Sequence, residues 1–252
     1  MNPQAHLVYL AWQCPATRAI LPVGRLVKHA RNDYEFAYIR AVRRAQELGF
    51  EALVSFPDLN ATYRSADLPP LFHNRVMRSS RRDYPAFVAE LGLATDAGPL
   101  PQMARSGGRT KTDELEVFAP PARLPDGRWE TDILVRGVRH VPHAEDAVSK
   151  LAVGDRLLVM TDFQKEQGAE ALVLRTIQQE FVGYLPAYLA RELAGQSSEI
   201  AQALAVTVAK INPHPANVHH RLLCRVEFPP EISLFSSDEY LPLVANGSVA
   251  AE

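Results

Sequence analysis

The sequence predicts an α+β protein made of two unlike parts: an N-terminal mixed α/β subdomain and a C-terminal small antiparallel β-barrel. Three observations predict it. Residues 1–92 interleave short β-compatible runs with stretches of helical spacing. Residues 93–128 are interrupted by Gly98-Pro-Leu-Pro101, Ser106-Gly-Gly108, Pro120-Pro121 and Pro125-Asp-Gly127, punctuation that marks a basic linker or loop. Residues 129–230 are dominated by strands, and residues 231–252 read as a C-terminal tail. At 252 residues and 47% hydrophobic content, the chain can bury a core in each half.

In the first half, Leu7–Trp12 and Leu21–Val27 are apolar β-type runs separated by the turn-like Cys14-Pro-Ala-Thr-Arg18. Tyr34–Tyr38 alternates in the manner of a half-buried strand. Ala41, Val42, Ala45 and Leu48 have helix spacing, stopped by Gly49. Glu51–Phe56 reads as a short strand ended by Pro57, and Leu71–Met77 and Tyr84–Leu91 as short helices. Glu114–Phe118 is the one strand expected inside the linker. Beyond it, strands are expected at Thr131–Val138, Arg156–Thr161, Ala171–Thr176, Phe181–Gly183, Leu204–Ile211 and His219–Phe228. The clearest helix is Ala187–Ala194, with Pro186 near its first position and a shorter helical piece at Ser198–Gln202. The strand-rich half is expected to fold alone from about Pro125 onward, on its own core.

Composition removes several function classes. A formal charge of −2 gives no global nucleic-acid signature, so any such site must be a local patch. Cys14 and Cys224 lack Cys-x-x-Cys spacing, so neither a zinc site nor a disulfide framework is expected. His214, His219 and His220 have no acidic or Cys partners at ligand spacing. No apolar run approaches the about 20 residues of a membrane span, and no signal peptide is apparent, so a cytoplasmic protein without a membrane partner is expected. Ser106-Gly-Gly-Arg-Thr-Lys111 is not a phosphate loop, because the Gly-Lys-Ser/Thr order is missing. There is no Gly-x-Ser-x-Gly elbow and no His-Glu-x-x-His. The reading is of a protein that is not an enzyme and needs no cofactor.

The C-terminal half carries the more specific pattern. Val135-Arg-Gly-Val-Arg-His140 is followed by the strand pair Arg156–Thr161 and Ala171–Thr176, then by Phe181-Val-Gly-Tyr-Leu-Pro186 running directly into a helix. This order resembles a HIRAN domain, a small OB-related β-barrel that captures single-stranded DNA ends in some repair translocases. The resemblance implies a nucleic-acid pocket lined by Arg139, His140, Asp162, Phe163, Lys165 and Tyr184. An arginine suits phosphate oxygens, and flat rings suit stacking on bases. The chain departs from the family in the loop Asp162–Ala171, which lacks the Asn-Pro element and the later Asp. That Asp is the expected acceptor for a terminal 3′ hydroxyl. Gly183 is expected to permit the strand-to-helix turn.

Residues 1–92 resemble the N-terminal subdomain of HipA-type toxin kinases at Val23-Gly-Arg-Leu26, Tyr34-x-Phe-x-Tyr38, Val54-Ser-Phe-Pro57 and Leu68–Arg75. The kinase body of that family is missing, so the resemblance implies a regulatory piece that meets a protein partner. Between the halves, Arg75, Arg78, Arg81, Arg82, Arg105, Arg109 and Lys111 outnumber Asp83, Glu90 and Asp96. Arg105, Arg109 and Lys111 are therefore expected to hold phosphate, against the alternative of a solvated charged face. The expected function is recognition of single-stranded DNA or DNA ends in repair or genome maintenance. The alternative is a protein-interaction adaptor or antitoxin-like regulator acting through residues 1–92.

Overall fold

A computed structural model describes residues 6–30, 33–162, 171–194, 203–244 and 249–251. In chain order its elements are β1 (Leu7–Gln13), β2 (Ile20–Lys28), β3 (Tyr34–Tyr38), α1 (Val42–Glu47), β4 (Thr62–Ser65), α2 (Pro70–His73) and α3 (Tyr84–Glu90). Next come α4 (Pro99–Ser106), β5 (Leu115–Phe118), β6 (Ala122–Arg123), β7 (Trp129–Leu134), α5 (Ala144–Ser149), β8 (Arg156–Asp162), β9 (Ala171–Arg175) and β10 (Phe181–Tyr184). The last are α6 (Ala187–Ala194), β11 (Ala205–Ile211), β12 (Leu222–Phe228) and β13 (Val249–Ala251). The fold is α+β, with two predominantly antiparallel sheets and short helices. The chain forms two compact units: Met1–Tyr84, Asp96–Pro120 and Phe235–Glu252 make the first, and Pro85–Thr95 and Pro121–Leu234 the second.

The first unit holds a six-stranded sheet in the order β13-β4-β3-β2-β1-β5. Aromatic residues fill one side of it: Phe36 stacks on Phe56 at 4.0 Å between centroids, and Phe72 and Tyr63 close around them. The Tyr38 hydroxyl accepts from Leu53 N–H and donates to Phe56 O, both at 2.8 Å. These bonds satisfy the backbone of residues 51–56, which form a turn and not the expected strand, leaving Val54 99% exposed at its tip. The strand that pairs with β3 is instead β4, in register from Tyr34↔Ser65 to Ala37↔Thr62.

The second unit holds a seven-stranded sheet in the order β10-β9-β8-β11-β12-β7-β6. Its buried side carries Leu157, Leu172, Leu174, Val206, Val208, Cys224 and Val226. Burial pushes the Cys224 thiol up to about 12, which leaves it inert as a nucleophile. Residues Pro85–Thr95 are part of this unit. Leu91 is fully buried against Leu134 and Leu223, with Phe87 and Leu93 beside it. His220 Nδ1 lies 2.7 Å from Glu90 Oε2, and Asn212 donates to Glu90 O at 2.8 Å. One antiparallel bridge, Arg136↔Tyr184, joins the chain just past β7 to β10 through bonds of 2.9 and 2.8 Å.

The organisation thus differs from the expected 1–92, 93–128, 129–230 and 231–252 division. Residues 93–128 are no linker. They contain α4, with Leu100 and Met103 buried, and β5, which pairs with β1 from Tyr9↔Phe118 to Trp12↔Leu115. The prolines that suggested a loop sit in the first turn of α4, where a missing N–H costs nothing, and Gly107 at φ +83° ends the helix. Residues 231–252 are not simply a tail either. Phe235 and Tyr240 pack on Tyr9, and Leu243 N–H bonds Tyr38 O at 2.8 Å. The expected helical piece Ser198–Gln202 lies outside the described residues.

Candidate nucleic-acid interface

In β8 side chains alternate, so Arg156, Leu158, Met160 and Asp162 share one side of the sheet. Register extends this side over two more strands. Leu158 lies across from Arg175 and Arg175 from Phe181; Met160 lies across from Val173 and Val173 from Tyr184; Asp162 lies across from Ala171. A bulge between Phe181 and Gly183 lets Phe181 and Tyr184, three residues apart, point the same way. Gly183 makes that bulge possible. Its φ is +139°, and a Cβ there would come within 2.6 Å of both Arg136 O and Val135 Cγ1.

The face combines apolar, aromatic and cationic groups in the open. Phe181 is 46% exposed, Met160 41% and Leu158 39%. Arg156 is exposed and has no ion-pair partner among the described residues. Arg175 Nε donates to Met160 Sδ at 2.7 Å. At the end of the face the Tyr184 hydroxyl donates to Asp162 Oδ2 at 3.0 Å. Burial raises the Tyr184 pKa, and the Asp162 bond and charge raise it further, so the phenol stays neutral and a donor. Such a face can stack flat rings, neutralise phosphates and accept a hydrogen bond at one carboxylate.

Arg139 and His140 sit in a short 3₁₀ turn, Val138–His140, that packs beside β10. Both are exposed, and Arg139 Nε donates to His140 Nε2 at 2.9 Å. Gly137, at φ +71°, brings the start of this turn against Tyr184: a Cβ there would lie 3.2 Å from the ring. The structure therefore brings Arg139, His140, Asp162 and Tyr184 to one region of the second unit. Phe163 and Lys165 lie outside the described residues.

The basic segment of the first unit differs from its expected role. Arg105 is buried, 8% exposed. Arg109 lies 3.4 Å from Glu116 and donates to Gln13 at 3.3 Å. Arg75 pairs with Asp113 and donates to Gly108 O at 2.9 Å, its side chain 2% exposed. Ser106 Oγ accepts from Gly108 N–H at 3.2 Å, and Gly107 O accepts from Val117 N–H at 2.7 Å. The segment is a tied turn, and of the expected trio only Lys111 and the partnered Arg109 reach solvent. The carboxylates that neutralise it, Asp113 and Glu116, stand just past the span whose charges suggested a patch.

Sequence reasoning missed Arg156, Leu158, Met160, Arg175 and Phe181. The run Leu157–Met160 reads as core, and only the pairing to β9 and β10 shows that alternate members face out. Among the described residues no group of three or more His, Cys, Asp or Glu is placed to hold a metal, and no helix is long and apolar enough to cross a membrane. No family model, curated protein or solved structure matches the chain.

Proposed function

We propose that this protein binds single-stranded DNA, or the ends of DNA strands, on the β8–β9–β10 face of its second unit. The observation that carries the reading is the exposed set Leu158, Met160 and Phe181 on one side of β8 and β10, with Arg156 and Arg175 among them and Tyr184 half-buried at the end. Sequence-tolerant single-strand binders use this combination, because every base has a face to stack and every linkage a charge to neutralise. The position of Arg139, His140, Asp162 and Tyr184 beside this face supports the HIRAN resemblance and the repair or genome-maintenance role it implies. The Arg136↔Tyr184 bridge supports closure of this sheet into a small barrel.

The test is equilibrium binding of the full chain to a short labelled oligothymidylate across a salt series. Contacts from Arg139, Arg156 and Arg175 give log affinity against log salt a slope of about −2, at about −0.7 per phosphate. Phe181→Ala, a change at an exposed position, weakens binding by about 1–3 kcal/mol with unchanged thermal stability. No binding at low salt overturns the reading and returns the function to a protein partner of the first unit.

A further inference from the structure

We propose that Met160 is a redox-sensitive modification site, whose oxidation to the sulfoxide by a peroxide weakens the face for single strands and whose reduction restores it. The inference rests on the nucleic-acid reading and adds its regulation. Met160 stands in the middle of the exposed side of β8, between Leu158 and Asp162, across from Val173. It is 41% exposed, whereas Met103 is fully buried and Met77 half-buried. Met160 is therefore the most exposed to dissolved peroxide of the described methionines.

The second observation is the guanidinium. Arg175 Nε donates to Met160 Sδ, so an N–H donor already stands within reach of a sulfoxide oxygen formed on that sulfur. In the reaction the sulfur lone pair attacks one peroxide oxygen and the O–O bond breaks. The leaving oxygen departs as water once protonated; the sulfur is oxidised by two electrons and the peroxide is reduced. A thiol-dependent sulfoxide reductase reverses the step, with two thiols becoming a disulfide and the oxygen leaving as water.

Two losses follow from one added oxygen. The thioether, an adaptable apolar surface for a base, becomes polar. The sulfoxide oxygen is also a stronger acceptor than the sulfur and holds the Arg175 guanidinium, removing a cation from phosphate.

The experiment treats the full chain with hydrogen peroxide, maps sulfoxides by peptide mass spectrometry, and measures oligothymidylate affinity before treatment, after it, and after a methionine sulfoxide reductase. Wild type should acquire the Met160 sulfoxide before that of Met77 or Met103, lose about tenfold in affinity, and recover on reduction. Met160→Leu, which keeps the apolar volume but has no sulfur to oxidise, is compared with itself before and after treatment and should keep its own starting affinity through it. Full Met160 oxidation with unchanged affinity overturns the regulation and leaves the nucleic-acid reading standing. An equal loss in Met160→Leu also overturns it, by placing the damage elsewhere. Absence of binding by untreated wild type overturns the nucleic-acid reading, and the regulation with it.

Discussion

The surroundings of Arg75 and Glu35 in the first unit and the β8–β9 face of the second use arginine on opposite terms, although the second unit also seals Arg221 against Glu145 at 2.9 Å. In the first, Arg75 is sealed against Asp113, Arg109 meets Glu116, and Arg64, Arg25 and His29 converge on Glu35 at 2.9, 4.0 and 3.5 Å. In the second, Arg156 lies open without an ion partner among the described residues, and Arg175 has a neutral sulfur as its partner. The first unit is the more basic along its middle segment, yet Arg75 and Arg109 there are held by carboxylates, whereas Arg156 and Arg175 in the second are not held by any among the described residues. Local excess of positive residues is therefore a poor guide to a phosphate site; what decides is whether a carboxylate from elsewhere in the fold reaches the cation first.

The largest effect expected concerns the independence of the second unit. A chain beginning at Pro125 lacks Pro85–Thr95, and with them Leu91, the Glu90–His220 contact and the Asn212 bond to Glu90 O. Such a fragment should be molten or insoluble, contrary to the expectation from its strand content. Leu91→Ala in the full chain isolates the packing part, and should cost about 2–5 kcal/mol in denaturant unfolding. A well-dispersed, cooperatively folding Pro125 fragment would show that this helix is an accessory to the core.

Next is the glycine that shapes the open face. Gly183→Ala imposes a Cβ on a left-handed backbone within 2.6 Å of Arg136 O, a backbone atom that cannot swing away. Strain and overpacking together should cost about 2–4 kcal/mol. The bulge should also shift, so oligonucleotide affinity falls with stability. Unchanged stability would show that β10 can repair its register with a side chain present.

Removing an arginine from the first unit should cost stability and leave binding alone. Burial alone would raise the Asp113 carboxyl, but the Arg75 hydrogen bond, the Leu115 N–H and the Arg75 charge outweigh it and hold the group below its ordinary range. A depressed folded value means the pair's contribution is complete above the unfolded value of about 3.9 and is lost as pH falls through the lowered one. Arg75→Met should cost about 2–3 kcal/mol at neutral pH, less than for a fully sealed pair because Asp113 still touches water. The variant's stability should also fall less steeply than wild type below about pH 4. Denaturation at neutral and acid pH checks both; parallel acid limbs would separate Asp113 from the pair.

Much of this architecture was legible along the chain, and the failures have identifiable causes. Strands β1, β2, β3, β5, β8, β9 and β11 follow from apolar runs and alternation, and α3 and α6 from spacing and a proline near the start. The turn at residues 51–56 was misread because Leu53 and Phe56 are apolar to pack into the aromatic core, while the Tyr38 hydroxyl takes the backbone bonds a strand partner would have supplied. Helix α4 was hidden by prolines that its first turn tolerates. The closeness of Arg139, His140, Asp162 and Tyr184 follows from their order around Gly183. The open rows beside them were not legible, because a strand's exposed side is set by partners distant in sequence. The pairing of Arg75 and Arg109 was hidden for the same reason: their carboxylates, Asp113 and Glu116, lie just before and within β5.

The smallest effect is also the sharpest test of the contrast between the units. Arg156 is exposed at the start of β8, on the side that carries Leu158 and Met160, with no described ion partner. Its charge contributes little to folding, so Arg156→Gln should melt within error of wild type. If the guanidinium neutralises one phosphate, its loss removes one counterion from the release term. The slope of log affinity against log salt should become shallower by about 0.7, with affinity falling a few-fold at low salt and converging with wild type at high salt. Lys111→Gln is the matched control, an exposed cation of the first unit that should leave slope and affinity unchanged. A slope altered by Lys111→Gln and not by Arg156→Gln would reverse the assignment, moving the phosphate contact to the first unit and leaving the β8–β10 face without its charge.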